Sequence, residues 1–246
     1  MVGCSCPVCR SSDPRDRRTR SSLLIRHDGR VVLIDTSTDL RTQALTEQLE
    51  RIDAVLFTHS HADHVNGIDD LRGFHFLHKD LIPCYASPET LETLQNGFGY
   101  IFEERPESGY TPLLVPHQVK GSFQLFGLDI TPVLLDHGRT TACGYRIGRF
   151  AYLTDCSGIP ESSIPLLQNL DILVIDGLRW KSHPSHLNID GALAVAAMLK
   201  PQRTVLTHLT HDVCYADTSR LPHGVEFAYD GLHFEIALTT QENGHA

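Results

Sequence analysis

The chain has 246 residues, 41% of them hydrophobic and 21% charged, and a formal net charge of −9. That length and balance fit one sizeable globular α/β domain, or at most two small ones. The negative charge argues against an extended nucleic-acid surface, since phosphate backbones select Lys and Arg, and no apolar run approaches the ~20 residues that span a bilayer.

The opening stretch, MVGCSCPVCRSS, lacks the apolar core of a signal peptide, so the chain reads as cytoplasmic. Three of the seven cysteines, Cys4, Cys6 and Cys9, fall within six residues. They are too close to staple distant segments, and in a cytosolic protein such a cluster is more often a metal site. DPRDRRTR then gathers Arg15, Arg17, Arg18 and Arg20, either as a solvated loop or as a phosphate-facing patch.

Period-two and continuous apolar runs predict strands at Ser22–Arg26 and Arg30–Asp35 (a hairpin around Asp28-Gly29), Ala54–Thr58, Gly121–Pro132, Cys143–Ile147, Arg149–Thr154, Ile172–Asp176 and Thr204–Thr207. A last hairpin is expected over Glu226–Glu235, turning at Asp230-Gly231. Helical spacing predicts helices at Leu40–Leu49, His64–Leu71, Pro88–Asn96, Ser162–Asn169 and Ile189–Lys200. Strand meanders that give way to strand–helix alternation imply mixed sheets covered by helices. Residues 97–120, rich in Gly and Pro, form the one long irregular stretch, of the kind that serves as a lid or binding loop.

Chemistry concentrates in FTHSHADHVNG, where His59, His61, Asp63 and His64 occupy six positions just after a predicted strand. Imidazole with carboxylate is a donor set for zinc, manganese or iron. Alternate spacing turns His59 and His61 to one side, where both can hold one ion. Asp63 and His64, at the start of a helix, can reach a second ion. Later apolar runs end in residues of the same type: His137 after PVLLD, Asp155 after AYLT, and His208 and His211 in RTVLTHLTH.

THSHADH followed by those later His, Asp and His residues resembles the metallo-β-lactamase superfamily, and the likeness extends over nearly the whole chain. It implies an α/β fold, a four-layer αββα sandwich, with a two-metal site at one edge. More narrowly, GCSCPVC, DPRDRRTRSS, SHLN and the closing THLTH resemble phosphoribosyl cyclic phosphate phosphodiesterases of phosphonate breakdown. By position, the resemblance assigns His59, His61 and His137 to one metal, Asp63, His64 and His208 to the other, and Asp155 to both. It makes Cys4, Cys6, Cys9 and His211 a closed structural zinc site, while Cys84, Cys143, Cys156 and Cys214 read as packing residues. Residues 1–246 form a single domain on this reading. The strand and glycine-rich turn that precede the cysteines in relatives are missing, and the sheet edge so exposed makes a homodimer the expectation.

The chemistry implied is hydrolysis of a small phosphodiester, a phosphoribosyl 1,2-cyclic phosphate or a 2′,3′-cyclic nucleotide, by hydroxide bridging two divalent ions, Mn²⁺ or Zn²⁺. Asp63 serves the metal pair, and His186, in HPSHLNID, is the candidate general acid for the leaving alkoxide. His183 is a weaker rival, and Asp176, ending ILVID, either orients a ligand histidine or simply ends a strand. His75 and His78 are candidates for lining the pocket but not for binding metal. A tRNA 3′-processing endonuclease is the enzymatic alternative, although residues 65–136 offer no basic arm. Thioester hydrolysis of the glyoxalase II type would add a helical C-terminal domain, and only 38 residues follow His208. The non-enzymatic alternative is a metal-loaded binding protein.

Overall fold

A computed structural model describes residues 1–103 and 113–237, which fall into two compact units. One comprises residues 18–103 and 113–122 with 141–143; the other comprises residues 1–17, 123–140 and 144–237.

In the first unit, β1 (Leu23–His27) and β2 (Arg30–Ile34) form an antiparallel hairpin with His27 opposite Arg30. Its two-residue loop requires positive φ at both positions, which Asp28 (45°) and Gly29 (72°) supply. The sheet continues in parallel through β3 (Ala54–Leu56), β4 (Ile82–Ala86) and β5 (Leu114–Gln118). VVLI of β2 and AVL of β3 are buried throughout, the continuous apolar pattern of parallel strands.

Helices α1 (Leu40–Thr46), α2 (Ala62–Val65), α3 (Arg72–His78), α4 (Pro88–Gly97) and α5 (Gly99–Phe102) connect these strands. Leu33, Leu40, Val55, Phe57, Ile68, Leu71, Leu91 and Leu94 pack together as the core. α4 starts where it should: Pro88 sets the first turn and the Ser87 hydroxyl accepts from the Thr90 N–H at 3.2 Å.

The single helix expected over His64–Leu71 is instead α2, a 3₁₀ turn at Ile68–Leu71, and α3. The break is at Gly67, whose N–H bonds the Thr36 carbonyl at 3.0 Å and so leaves the helical ladder. A Cβ at Gly67 would collide with the Ser37 carbonyl, so the close approach of these two segments needs glycine. β4 and β5 were hidden by Pro83 and Pro116, which interrupt strand patterns. Residues 97–120 are therefore not irregular throughout, since they hold α5 and β5; residues 104–112 lie outside the described ones.

The second unit carries a sheet of β6 (Phe123–Leu125), β7 (Leu128–His137), β8 (Thr140–Ile147), β9 (Phe150–Leu153), β10 (Ile172–Asp176), β11 (Arg203–Thr207) and β12 (Val225–Phe227), ordered β12-β11-β10-β9-β8-β7-β6. β9 through β12 run parallel, with β10 and β9 buried along their whole length. α6 (Ile189–Leu199) is capped by Asn188, whose side-chain oxygen accepts from the Gly191 N–H at 3.0 Å.

Three expectations fail in this unit. Gly121–Pro132 is a hairpin rather than one strand, because Phe126 (φ 51°) and Gly127 (φ 82°) make a tight turn between β6 and β7. Ser162–Asn169 contains only a 3₁₀ turn, Ile164–Leu167, with a proline in its first turn. Over Glu226–Glu235 only Val225–Phe227 is a strand; the turn at Asp230-Gly231 forms, but no returning strand follows among the described residues.

Candidate metal centre

In the first unit the chain leaves β3 through Phe57 and Thr58 and turns into α2, which places His59 and His61 before the helix and Asp63 and His64 within it. The His59 ring lies 4.6 Å from that of His61 and 4.4 Å from that of His64, centre to centre. Asp63 Oδ2 is 3.6 Å from His64 Nε2.

Beneath them is Asp35, a fully buried residue just past β2. It accepts from the Thr58 N–H at 2.8 Å and the Thr58 hydroxyl at 2.7 Å, and it meets His64 Nδ1 at 2.8 Å. The carboxylate fixes the proton of His64 on Nδ1 and leaves the lone pair on Nε2. The Thr58 hydroxyl, having given its proton to Asp35, accepts from His59 Nδ1 at 3.0 Å, so the lone pair of His59 also falls on Nε2. One buried carboxylate thus sets the tautomers of two imidazoles. Sequence reasoning placed Asp35 only at a strand end. The pattern of an apolar run closed by a metal-type residue, already recognised at Asp155, was present in VVLID as well.

In the second unit His137 ends β7, Asp155 follows β9, Asp176 ends β10 and His208 follows β11. Ligand-type residues thus recur at strand ends. Asp155 (φ 53°), His208 (φ 58°) and, in the first unit, Asp35 (φ 63°) adopt left-handed backbone, which Asp and His enter more readily than most side chains. His137 Nδ1 donates to the Ser185 carbonyl at 2.8 Å, which turns Nε2 outward as the donor atom. Asp155 Oδ1 is 3.9 Å from His137 Nε2, and Oδ2 is 3.5 Å from His208 Nε2. A carboxylate that offers one oxygen beside each of two imidazoles suits a pair of ions sharing it.

His186 stacks on His208 at 5.0 Å and meets the edge of His137 at 4.9 Å. Its Nδ1 lies 2.7 Å from Asp176 Oδ2. Asp176 therefore holds the candidate acid rather than a proposed metal ligand. His183 is a neighbour of His186, with rings 5.1 Å apart, and its Nδ1 accepts from the Ser185 N–H at 3.3 Å.

The cysteine cluster closes within the second unit. The Sγ atoms of Cys4, Cys6 and Cys9 and a ring nitrogen of His211 all lie within 4.8 Å of one another. Tetrahedral zinc, with bonds of about 2.3 Å to sulfur and about 2.0 Å to nitrogen, sets those atoms about 3.6 Å apart. Cys4 Sγ and Cys6 Sγ lie 3.5 and 3.4 Å from His211 Nδ1, so the donor set fits that ion. The His211 imidazole, ahead of the Cys9 N–H, brings the Cys6 thiol down to about 6, toward the thiolate a metal needs.

Other candidates have structural duties. His75 Nδ1 meets the Asp80 carbonyl at 2.8 Å and His78 Nε2 the Glu50 carbonyl at 2.7 Å, so both histidines brace loops. Arg15 pairs with Asp13 and lies 4.1 Å over the Tyr215 ring, and Arg20 pairs with Asp39. Cys214 touches Asp16 at 3.6 Å, which makes it more than packing. His245 lies outside the described residues.

A family model described as the β-lactamase superfamily domain matches residues 30–209, a stretch that includes residues of both units. The chain belongs to that family. A solved structure described as a new diphosphatase from the PhnP family shares 43% identity and a TM-score of 0.88, covering 94% of this chain and 89% of that one. The metallo-β-lactamase fold follows from these matches. Human tRNase Z, short form, aligns with a TM-score of 0.69 over 89% of this chain and 93% of its own at 20% identity, a likeness of fold alone. An octanoyltransferase from Porphyromonas gingivalis is 42% identical over 237 residues. That match takes in 94% of this chain but 48% of the relative, so the chain spans about half of that protein's length.

Proposed function

We propose that the chain is a metal-dependent hydrolase that opens a small cyclic phosphodiester with the help of a pair of divalent ions. His59, His61 and His137 would hold one ion, Asp63, His64 and His208 the other, and Asp155 both. The observation that carries this reading is Asp155, with an oxygen turned to each of His137 and His208. When bound, the two ions, manganese or zinc, would lower the pKa of a shared water and neutralise charge building on the phosphoryl oxygens.

The chain's own residues supply the rest. Asp35 holds His64 directly, and His59 through Thr58, in the tautomer that presents Nε2. Ser185 does the same for His137. His186, anchored through Nδ1 by Asp176, keeps Nε2 for donating a proton to the departing alkoxide. Cys4, Cys6, Cys9 and His211 would hold a structural zinc. Since His211 follows His208 by three residues, that zinc would tie the N-terminal segment to the loop bearing an active-site ligand.

A second reading comes from the PhnP-family diphosphatase at 43% identity: cleavage of a diphosphate linkage by the same ligands. The histidine–aspartate pair favours the phosphodiester, because an alkoxide needs a proton on leaving far more than a phosphate does. Octanoyl transfer, named for a relative about twice as long as its match here, is not carried over. A cytoplasmic setting agrees with seven cysteines of which none is in a disulfide, and among the described residues no helix is long and apolar enough to cross a membrane. A homodimer would pair through β1, which among the described residues is bonded in its sheet to β2 alone.

Phosphorus NMR of the manganese-loaded protein tests the reading, with 5-phosphoribosyl 1,2-cyclic phosphate and a nucleoside diphosphate compound in parallel. Ring opening that vanishes in Asp63→Ala supports the phosphodiesterase. Turnover of the diphosphate alone would install the second reading, and no turnover of either would leave a metal-loaded binding protein.

A further inference from the structure

We propose that Cys6 and Cys9 are a hydroperoxide-oxidisable pair whose disulfide expels the zinc held by the cysteine cluster. The inference rests on the zinc reading above and adds a modification site to it.

The local chain is built for that bond. Cys6-Pro7-Val8-Cys9 has the spacing of a C-x-x-C dithiol, in which two thiols share one turn. The Cys9 N–H points at Cys6 Sγ at 3.4 Å, and the Arg10 N–H bonds the Cys6 carbonyl at 3.1 Å, folding Cys9 back toward Cys6. All three sulfurs already lie within 4.8 Å of one another, so contraction to a disulfide of about 2.0 Å needs little chain movement. Cys4 is the poorer partner: only Ser5 separates it from Cys6, and so small a ring is strained. The cluster is also reachable. Cys4, Cys6 and Cys9 are half-buried, whereas Cys84 and Cys156 are fully enclosed.

The step balances with hydrogen peroxide as oxidant. One thiolate of the pair attacks the O–O bond, giving a sulfenic acid and, with one proton, water. The second thiolate attacks that sulfur, the S–S bond forms, and the S–O bond breaks to release, with a second proton, another water. Two electrons pass from the sulfurs to the peroxide. Cys4 and His211 remain as two donors where four were needed, and zinc leaves. His211 is then untied, three residues from His208.

The test uses the full chain carrying zinc in the cluster and manganese elsewhere, treated with stoichiometric hydrogen peroxide. Zinc is read with a chromogenic chelator and the tryptic peptide Met1–Arg10 by mass spectrometry. Release of one zinc per chain, loss of two hydrogens from the peptide, and reversal by dithiothreitol with zinc are expected. Cys4→Ser should still lose the two hydrogens, and fragmentation of the wild-type peptide locates the bond if that variant does not fold. Zinc retained through oxidation, or lost with added oxygen and no disulfide, would overturn the inference and leave the zinc site standing. Absence of zinc before any oxidant would sink both.

Discussion

Asp176 Oδ2 lies 2.7 Å from His186 Nδ1, and the same oxygen accepts from the Cys156 N–H at 3.1 Å. Burial pushes the Asp176 carboxyl above the usual carboxylate range, and the bond to His186 pulls it back. The pair resembles the aspartate–histidine unit of acid–base catalysts, where the carboxylate fixes the ring and stabilises its charged form. His186→Asn should lower kcat by about 10²- to 10⁴-fold on a phosphodiester with an alkoxide leaving group. It should have little effect on a p-nitrophenyl phosphodiester, whose leaving group needs no proton. Asp176→Asn should lower kcat by about 10- to 100-fold with the same dependence on leaving group. Equal losses on both substrates would assign His186 to metal binding or packing rather than proton donation.

Asp35 gives a different signature, because its three hydrogen bonds reach two imidazoles without offering an atom to a substrate. Asp35→Asn keeps a side chain that tolerates the left-handed backbone at φ 63°, so it separates charge and proton acceptance from backbone strain. The amide cannot accept at every position the carboxylate served. Metal affinity should fall by about 10- to 100-fold, measured by competition with a chelator, while KM for substrate at saturating metal stays near the wild-type value. Asp35→Ala should add a stability loss of about 3 kcal/mol by leaving buried donors unpaired, read from urea midpoints.

How much of this could be read beforehand follows from where each signal resides. Ile172–Asp176 was legible to the residue because a parallel strand buried on every position leaves an unbroken apolar run. The cluster at His59–His64 was legible because all four side chains come from one turn. β4 and β5 were not, since proline sits inside each of them. The split of His64–Leu71 depended on a bond from Gly67 to Thr36, a partner 31 positions away that no local period reveals. The role of Asp35, and which histidine Asp176 orients, were hidden for the same reason: a residue that orients another is defined by its partner, and His64 lies 29 residues from Asp35. Ligands announce themselves by type and crowding, whereas the groups that hold them show only in three dimensions.

With zinc in the cysteine cluster the N-terminal segment would be fastened at two points, and removing the metal should release only one. Asp16 is buried and accepts from the Tyr215 N–H at 2.7 Å, while Arg15 covers the Tyr215 ring. Zinc would add the second fastening at His211. Chelation should therefore raise hydrogen exchange in residues 1–10 and around 208–214, and leave 13–17 protected. Asp16→Ala in the zinc-loaded protein should give the reverse, loosening 13–17 and 215–220 while the cysteines stay fixed. Uniform exchange in both cases would mean that the segment is held as one piece.

Acid should weaken the first unit through Asp53. This side chain, 5% exposed, accepts from the Val31 N–H at 2.8 Å and from Arg30 Nη1 at 2.9 Å, and it also binds Arg51, so it ties the β1–β2 hairpin to the start of β3. Burial raises its pKa, but the hydrogen bonds from Arg51, Arg30 and Val31 together outweigh burial and leave it lowered. A carboxylate lowered in the folded state binds fewer protons there than in the unfolded chain. Its stabilisation is thus complete above the unfolded value of about 3.9 and declines as pH falls below it toward the folded value. Asp53→Asn should cost about 1–2 kcal/mol at neutral pH and flatten the acid limb of the stability curve. Urea midpoints from neutral pH down to the acid transition check it: parallel curves for variant and wild type would show that another carboxylate governs the acid response.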